Sequence, residues 1–177
     1  NTKVTYNKNE IISASYVIPE DLEELDENAP IILKGSFTGN RKIDEDTNIV
    51  GPSTISEFKV DKVYKGSIEN DIISVLEPFE IKDNNFTNIE GYIPMEENKE
   101  YILFLRENDI SEGKQYTIKF ISFGKYNTSK EDNIVNQKSS IKYLEEVKDS
   151  EFISESQEIC DTYINIKGEV LDKYLYK

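Results

Sequence analysis

Tyr101-Ile102-Leu103-Phe104-Leu105 is the stretch whose reading decides the fold. Successive side chains of a β-strand point to opposite faces, so a run that is apolar at every position is apolar on both. Such a strand sits at the centre of a sheet that is covered on both sides. A charged turn, Glu107 to Lys114, follows, and Tyr116, Ile118 and Phe120 then alternate with Thr117 and Lys119. The two segments predict a hairpin with a loop longer than the tightest types.

Working outward, Phe58 and Val60 alternate with Glu57, Lys59 and Asp61, and the run continues through Val63 and Tyr64 to a turn at Lys65-Gly66-Ser67. This period of two predicts a strand with one wet face. Asp71 to Leu76 reads as its antiparallel partner, ended by Pro78, and Ile81 to Asn98 reads as a long irregular connection. Upstream, Glu10 to Val17 is β-rich, and Glu20 to Asn28 predicts a two-turn helix with an acidic first turn, stopped by Pro30. Ile31-Ile32-Leu33 leads a further strand, and Gly39 to Pro52 reads as a loop. Beyond Asn127 the pattern turns helical. Ile141, Leu144 and Val147 recur every three residues, and Ser154-Glu155-Ser156-Gln157 matches a capping box ahead of Ile159, Tyr163, Ile166, Val170 and Tyr174. Two tail helices are predicted, with a break invited at Gly168, which costs about 1 kcal/mol relative to Ala. The expected architecture is α+β and mainly β. It is one domain over 1–177: a small antiparallel barrel over about 20–126, with a short helix near its start and a helical extension over about 137–176 packed on it.

The inventory excludes several classes of function. Lys and Arg total 21 against 35 Asp and Glu, a formal charge of −14. No basic run is longer than a pair, so the phosphate neutralisation on which nucleic-acid binding rests is missing. The charge also favours a monomer. There are no histidines, which removes Ser-His-Asp triads, Cys-His dyads and His-ligated metals. The single cysteine, Cys160, is flanked by Glu158 and Asp161 and reads as a buried, inert thiol. No cofactor is expected, nor a metal required for folding. No apolar run approaches the roughly 20 residues that span a bilayer.

Asp44, Asp46 and Asn48 repeat at alternate positions like the first half of a calcium loop, but Ile49 and Ile55 stand where such a loop has Gly and Glu. They are the metal candidates of the chain, and a solvated turn is the expectation. The acidic pairs Glu23-Glu24, Glu96-Glu97 and Glu145-Glu146 place neighbouring carboxylates on diverging directions, which a glycosidase cleft does not want. In the long stretch Ile81–Asn98, Phe86, Tyr92 and Ile93 gather apolar surface that an idle loop seldom carries, and they are the candidate ligand contacts. The alternative reading of these three is a plug at the open end of the barrel.

Lys34-Gly35, Phe58 and Val60, Val63-Tyr64-Lys65-Gly66, Ile73 and Val75, the Tyr101–Leu105 run and Gly124-Lys125-Tyr126 together resemble a family of secreted or lipid-anchored proteins of low-GC Gram-positive bacteria whose core is an OB-like β-barrel. The resemblance covers roughly residues 20–126 and brings no catalytic residues with it. It implies an extracytoplasmic location, at the cell surface or secreted, with membrane attachment only through a lipidated cysteine before Asn1. The functional expectation is a non-enzymatic module of the cell envelope that binds a protein, a peptide or a cell-wall glycan. The competing expectation is a hydrolase whose carboxylates converge from separate elements.

Overall fold

Where β-branched and aromatic residues recur at alternate positions the chain forms strands, and these dominate the computed structural model, which describes residues 9–12, 17–44, 51–110, 113–131, 134–135 and 144–176. In chain order the elements are β1 (Asn9–Ile12), α1 (Leu22–Asn28), β2 (Ile31–Ile43), β3 (Thr54–Lys65), β4 (Ile72–Glu77), β5 (Phe79–Lys82) and β6 (Asn85–Ile89). They continue with β7 (Glu100–Ile110), β8 (Gly113–Ile118), β9 (Lys125–Asn127), β10 (Ile134–Val135), β11 (Phe152–Ile153) and α2 (Gln157–Val170).

Five strands close on themselves in the order β2-β3-β4-β8-β7, with β2 pairing back onto β7. All these pairings are antiparallel except β4 with β8, a short parallel seam at Val75↔Tyr116 and Leu76↔Thr117. This is an OB-like small barrel, and the fold class read from the sequence holds. β7 is its central strand. One edge carries β2 from Ile31↔Leu105 to Ser36↔Glu100; the other carries β8 from Leu105 onward and β9 at residues 101–103.

The alternation along β7 divides the hydrophobic core into two. Tyr101, Leu103 and Leu105 face the barrel interior with Leu33, Phe58 and Val75. Ile102 and Phe104 face outward, where Leu25 of α1 and Tyr163 and Val170 of α2 belong to the same cluster. All five residues of the run are buried. At about 1.5–3 kcal/mol for each large apolar side chain buried, the strand contributes to both cores at once.

The helices begin where local chemistry supplies a cap. The Asp21 carboxylate accepts from the Glu24 N–H at 3.0 Å, and α1 ends at Asn28, two residues before Pro30. Ser156, not Ser154, caps α2, accepting from the Ile159 N–H at 3.3 Å, while Ser154 accepts from the Ser156 N–H. No break occurs at Gly168: the backbone stays α-helical to Val170 and widens into a π turn over Leu171–Leu175. Asp26 of α1 accepts from Tyr174 and Lys173 in that turn, tying the two helices together.

Several expectations need correction. The stretch from 81 to 98 is not irregular throughout, because β5 and β6 form a hairpin whose two turn residues, Asp83 and Asn84, both take positive φ (51° and 61°). Asp and Asn tolerate that conformation, which two-residue hairpin turns require. β6 also pairs in parallel with β1, the described part of the β-rich start. β2 runs on to Ile43, into what reads as a loop, and β7 runs to Ile110 with β8 resuming at Gly113, so the hairpin connection is short. Of the first predicted tail helix, Ile141 lies outside the described residues, and Leu144–Glu146 makes a single 3₁₀ turn. Its apolar pattern serves packing instead: Leu144 and Val147 join the interior cluster.

Closing five strands requires strong coiling, and the β2–β3 pairing absorbs it in register shifts at 32/33, 34/35 and 37/41. Gly35 sits at one of them, where a Cβ would lie 2.0 Å from the Lys59 carbonyl oxygen. Gly168, by contrast, is exposed and has open space around its Cα. The two glycines therefore respond in opposite directions to alanine. Gly168→Ala is expected to stabilise by about 0.5–1 kcal/mol through helix propensity, and Gly35→Ala to destabilise by about 2 kcal/mol or more through the backbone clash. Urea midpoints of the two variants check this; a neutral Gly35→Ala would mean the bulge yields freely.

Candidate functional site

A barrel this small is filled by side chains, so any charge inside it must be matched. Glu77, at the end of β4, is fully buried. Its Oε1 accepts from Ser56 Oγ at 2.5 Å and from Arg41 Nη2 at 3.0 Å; its Oε2 accepts from Tyr92 Oη at 2.6 Å and the Met95 N–H at 2.8 Å. Arg41 also donates to the Met95 carbonyl and lies over the Phe37 ring at 3.9 Å. Four donors on one carboxylate offset its desolvation, and the group acts as a structural knot. Burial, reinforced by the nearby Glu77 charge, holds the Tyr92 phenol well above its ordinary proton affinity.

This knot accounts for the candidate contact residues. Phe86, Tyr92 and Ile93 are buried members of the interior cluster. Phe79 lies between the rings, 5.9 Å from Phe86 and 6.4 Å from Tyr92, in stacked geometry with the latter. They close the barrel end and do not present a contact face, because a hairpin and a carboxylate hydrogen bond fold them inward. Of the metal candidates, Asp44 donates its backbone N–H to the Ser53 carbonyl at 3.3 Å, while Asp46 and Asn48 lie outside the described residues. Among the described residues no group of three or more Cys, Asp and Glu side chains could hold a metal ion. Glu96 and Glu145, from two of the acidic pairs, form local ion pairs with Lys99 and Lys148, the first half-buried and the second exposed. Cys160 is buried, and burial with the Asp161 charge pushes its thiol up.

A second buried cluster holds the C-terminal helix. Lys167 and Glu151, each 2% exposed, meet at 2.6 Å. Asn127 donates its N–H to Glu151 at 2.8 Å and accepts from Lys167 at 3.0 Å, and Tyr163 Oη donates to the Lys125 carbonyl at 2.6 Å. Burial raises the Glu151 carboxyl, and the Lys167 ammonium opposes that. Nearby, the Lys125 ammonium is buried against the Tyr92 ring at 4.3 Å and donates to the Ile93 carbonyl. Burial lowers it to about 8.

The outer face of the barrel is different. Where β4, β8 and β7 run side by side, a groove of about 510 Å³ opens beside the knot, walled by Pro52, Leu76, Pro78, Ile89 and Ile121, with Glu77 in its lining and Arg106, Asn108 and Thr117 on its edge. Arg106 Nη1 donates to Asn108 Oδ1 at 2.7 Å, and Asn108 Nδ2 donates to Thr117 Oγ1, so the polar edge is pre-ordered. The cross-strand register Arg106↔Thr117 and Asn108↔Gln115 aligns these residues. Sequence reasoning missed this edge by taking Glu107–Lys114 as a turn. The available signal was the spacing of Arg106 and Asn108 by two, which puts both on one face of a strand. Compared with known proteins, the chain matches no family model, and no curated protein matches it.

The buried groups make two testable statements. Below about pH 8 the folded and unfolded chains both hold the Lys125 proton; between that value and the ordinary 10.5 only the unfolded chain does, so stability contributed at this site rises with pH. Tyrosines such as Tyr92 and Tyr126, raised by burial, act oppositely once free tyrosine ionises near 10. From about pH 7.5 to about pH 9.5, wild type should gain stability relative to Lys125→Met in denaturant titrations, and a constant gap would refute the assignment. Tyr126 Oη is buried without a hydrogen-bond partner among the described residues. Tyr126→Phe should leave the urea midpoint unchanged or raise it by up to about 1 kcal/mol equivalent, since it removes an unsatisfied hydroxyl and keeps the ring.

Proposed function

We propose that this chain is a non-enzymatic interaction module that works outside the cytoplasm and receives its partner in the groove over β4, β8 and β7. The observation that carries the reading is the groove itself: about 510 Å³, with an aliphatic wall from Pro52, Leu76, Pro78, Ile89 and Ile121 beside polar groups ordered by internal hydrogen bonds. Pockets that bind have this composition, with an apolar body for affinity and a few fixed polar groups for orientation. The extracytoplasmic location rests on the resemblance to secreted and lipid-anchored OB-like proteins. The net charge of −14 suits a partner that is not a polyanion.

The hydrolase alternative has less support. Such chemistry asks for two carboxylates facing one substrate with their proton affinities set apart. Glu77 and Asp109 line the groove, but Glu77 has both oxygens taken up by four internal donors, and Glu151 belongs to the separate cluster around α2. Neither is free to take a proton from a bound substrate without dismantling packing.

The experiment fills the groove. Gln115 is a half-buried residue of β8 lining it, and Gln115→Trp should occupy much of the cavity while leaving the barrel register intact. With Lys62→Glu, at an exposed position of β3, as the control, immobilised protein is challenged with cell-envelope extract. Loss of a retained partner for Gln115→Trp alone, with thermal midpoints of all three proteins within about 2 °C, supports the reading. Equal retention by the two variants, or retention of nothing by wild type, overturns it.

A further inference from the structure

The chain contains only two arginines. Arg41 is committed to Glu77 in the barrel end, leaving Arg106 on the groove edge. In a chain with 35 acidic residues an exposed guanidinium would ordinarily acquire a carboxylate, yet among the described residues Arg106 forms no ion pair. Its sequence neighbour Glu107 points to the opposite face of β7 and pairs with Lys114 at 2.6 Å. What Arg106 does have is a neutral partner, Asn108, that orients it and leaves its remaining N–H groups available.

We propose that the groove binds the free C-terminal end of a peptide, with Arg106 receiving the terminal carboxylate and the aliphatic wall receiving the last side chain. This rests on the reading of the groove as the interaction site. A guanidinium matches a carboxylate in a two-bond fork, which a lysine cannot reproduce. Leu76, Pro78, Ile89 and Ile121 supply an aliphatic bed beside it, and a peptide terminus is a ligand in which a carboxylate and an aliphatic side chain share one carbon. No aromatic side chain lines the groove among the described residues, so the stacking surface that a sugar ring or base would use is absent. An acidic glycan is therefore the less favoured source of the carboxylate.

The test uses acetyl-alanyl-alanyl-leucine, its C-terminal amide and glucuronic acid, titrated into isotope-labelled protein while backbone amide shifts are followed. The free acid should shift groove amides saturably, with a dissociation constant on the order of 1 mM. The amide and glucuronic acid should each bind at least about tenfold more weakly, and Arg106→Gln should lose about the same factor for the acid alone, with Arg106→Lys between the two. Arg106 is exposed, so both variants should keep the wild-type spectrum outside the groove. Equal binding of acid and amide overturns the carboxylate assignment while leaving a groove that binds peptides. Glucuronic acid binding as tightly as the peptide overturns the peptide assignment. Absence of groove shifts with every compound overturns the inference itself, and the wider reading is then judged separately by retention on Gln115→Trp.

Discussion

The pairing of β2 with β7, from Ile31↔Leu105 to Ser36↔Glu100, turns a sheet into a barrel, and almost every other feature depends on it. Closure removes two open edges and gives a five-residue apolar strand two interiors to serve. It also dictates where the chain must bend. The register shifts of β2 against β3 and the close approach at Gly35 follow from the curvature that five strands need. The inner core is then small enough to be filled by side chains, while the outer faces of β7 and β2 remain apolar and must be covered. α1 and α2 cover them, anchored by the aromatic stack of Phe152 on Tyr163 at 4.3 Å and Tyr126 on Tyr163 at 4.9 Å.

Two buried ionic clusters define the register in which these layers meet. Arg41 and Glu77 are 36 residues apart, and their contact locks the end of β2 to the end of β4 and, through Tyr92 and Met95, to the segment after β6. Lys167 and Glu151 do the same between α2 and the β9 end of the sheet, with Asn127 as the shared partner. Ion pairs of this kind add little net stability over apolar packing, but removing one member leaves a stranded charge. Their consequence is specificity: a helix docked one turn away, or a β5–β6 hairpin slipped by one residue, would leave a carboxylate without donors. With Glu77 and Glu151 each matched by a cation inside, a guanidinium without an ion pair among the described residues stands on the groove edge, ordered by Asn108 and Thr117.

Much of the fold was legible because periodicity reports on faces. The Tyr101–Leu105 run, the alternation around Phe58 and Val60, the Leu22–Asn28 helix and the α2 pattern all carry their burial in their spacing. The misreadings share one cause. Asp83-Asn84 looked like more loop because the residues that make a two-residue hairpin turn also populate irregular segments. Glu107 to Lys114 looked like a turn because it is charged, yet a strand whose outer half stands in water can be polar and still pair. Phe86, Tyr92 and Ile93 looked like a contact surface because no local pattern shows that Glu77 waits opposite Tyr92.

By itself, then, the sequence determined the class of the protein: a mainly β chain with a doubly buried central strand, short capped helices, no histidine chemistry and a charge hostile to nucleic acid. These properties are local or compositional, set by the residues and their nearest neighbours along the chain. The tertiary structure decided which strands close the barrel, which buried charges meet, that the aromatic segment after β5 is core, and that one of two arginines is left beside an aliphatic groove. Those outcomes depend on which residues lie opposite one another across tens of positions, and spacing along a chain specifies a face without specifying what it will face.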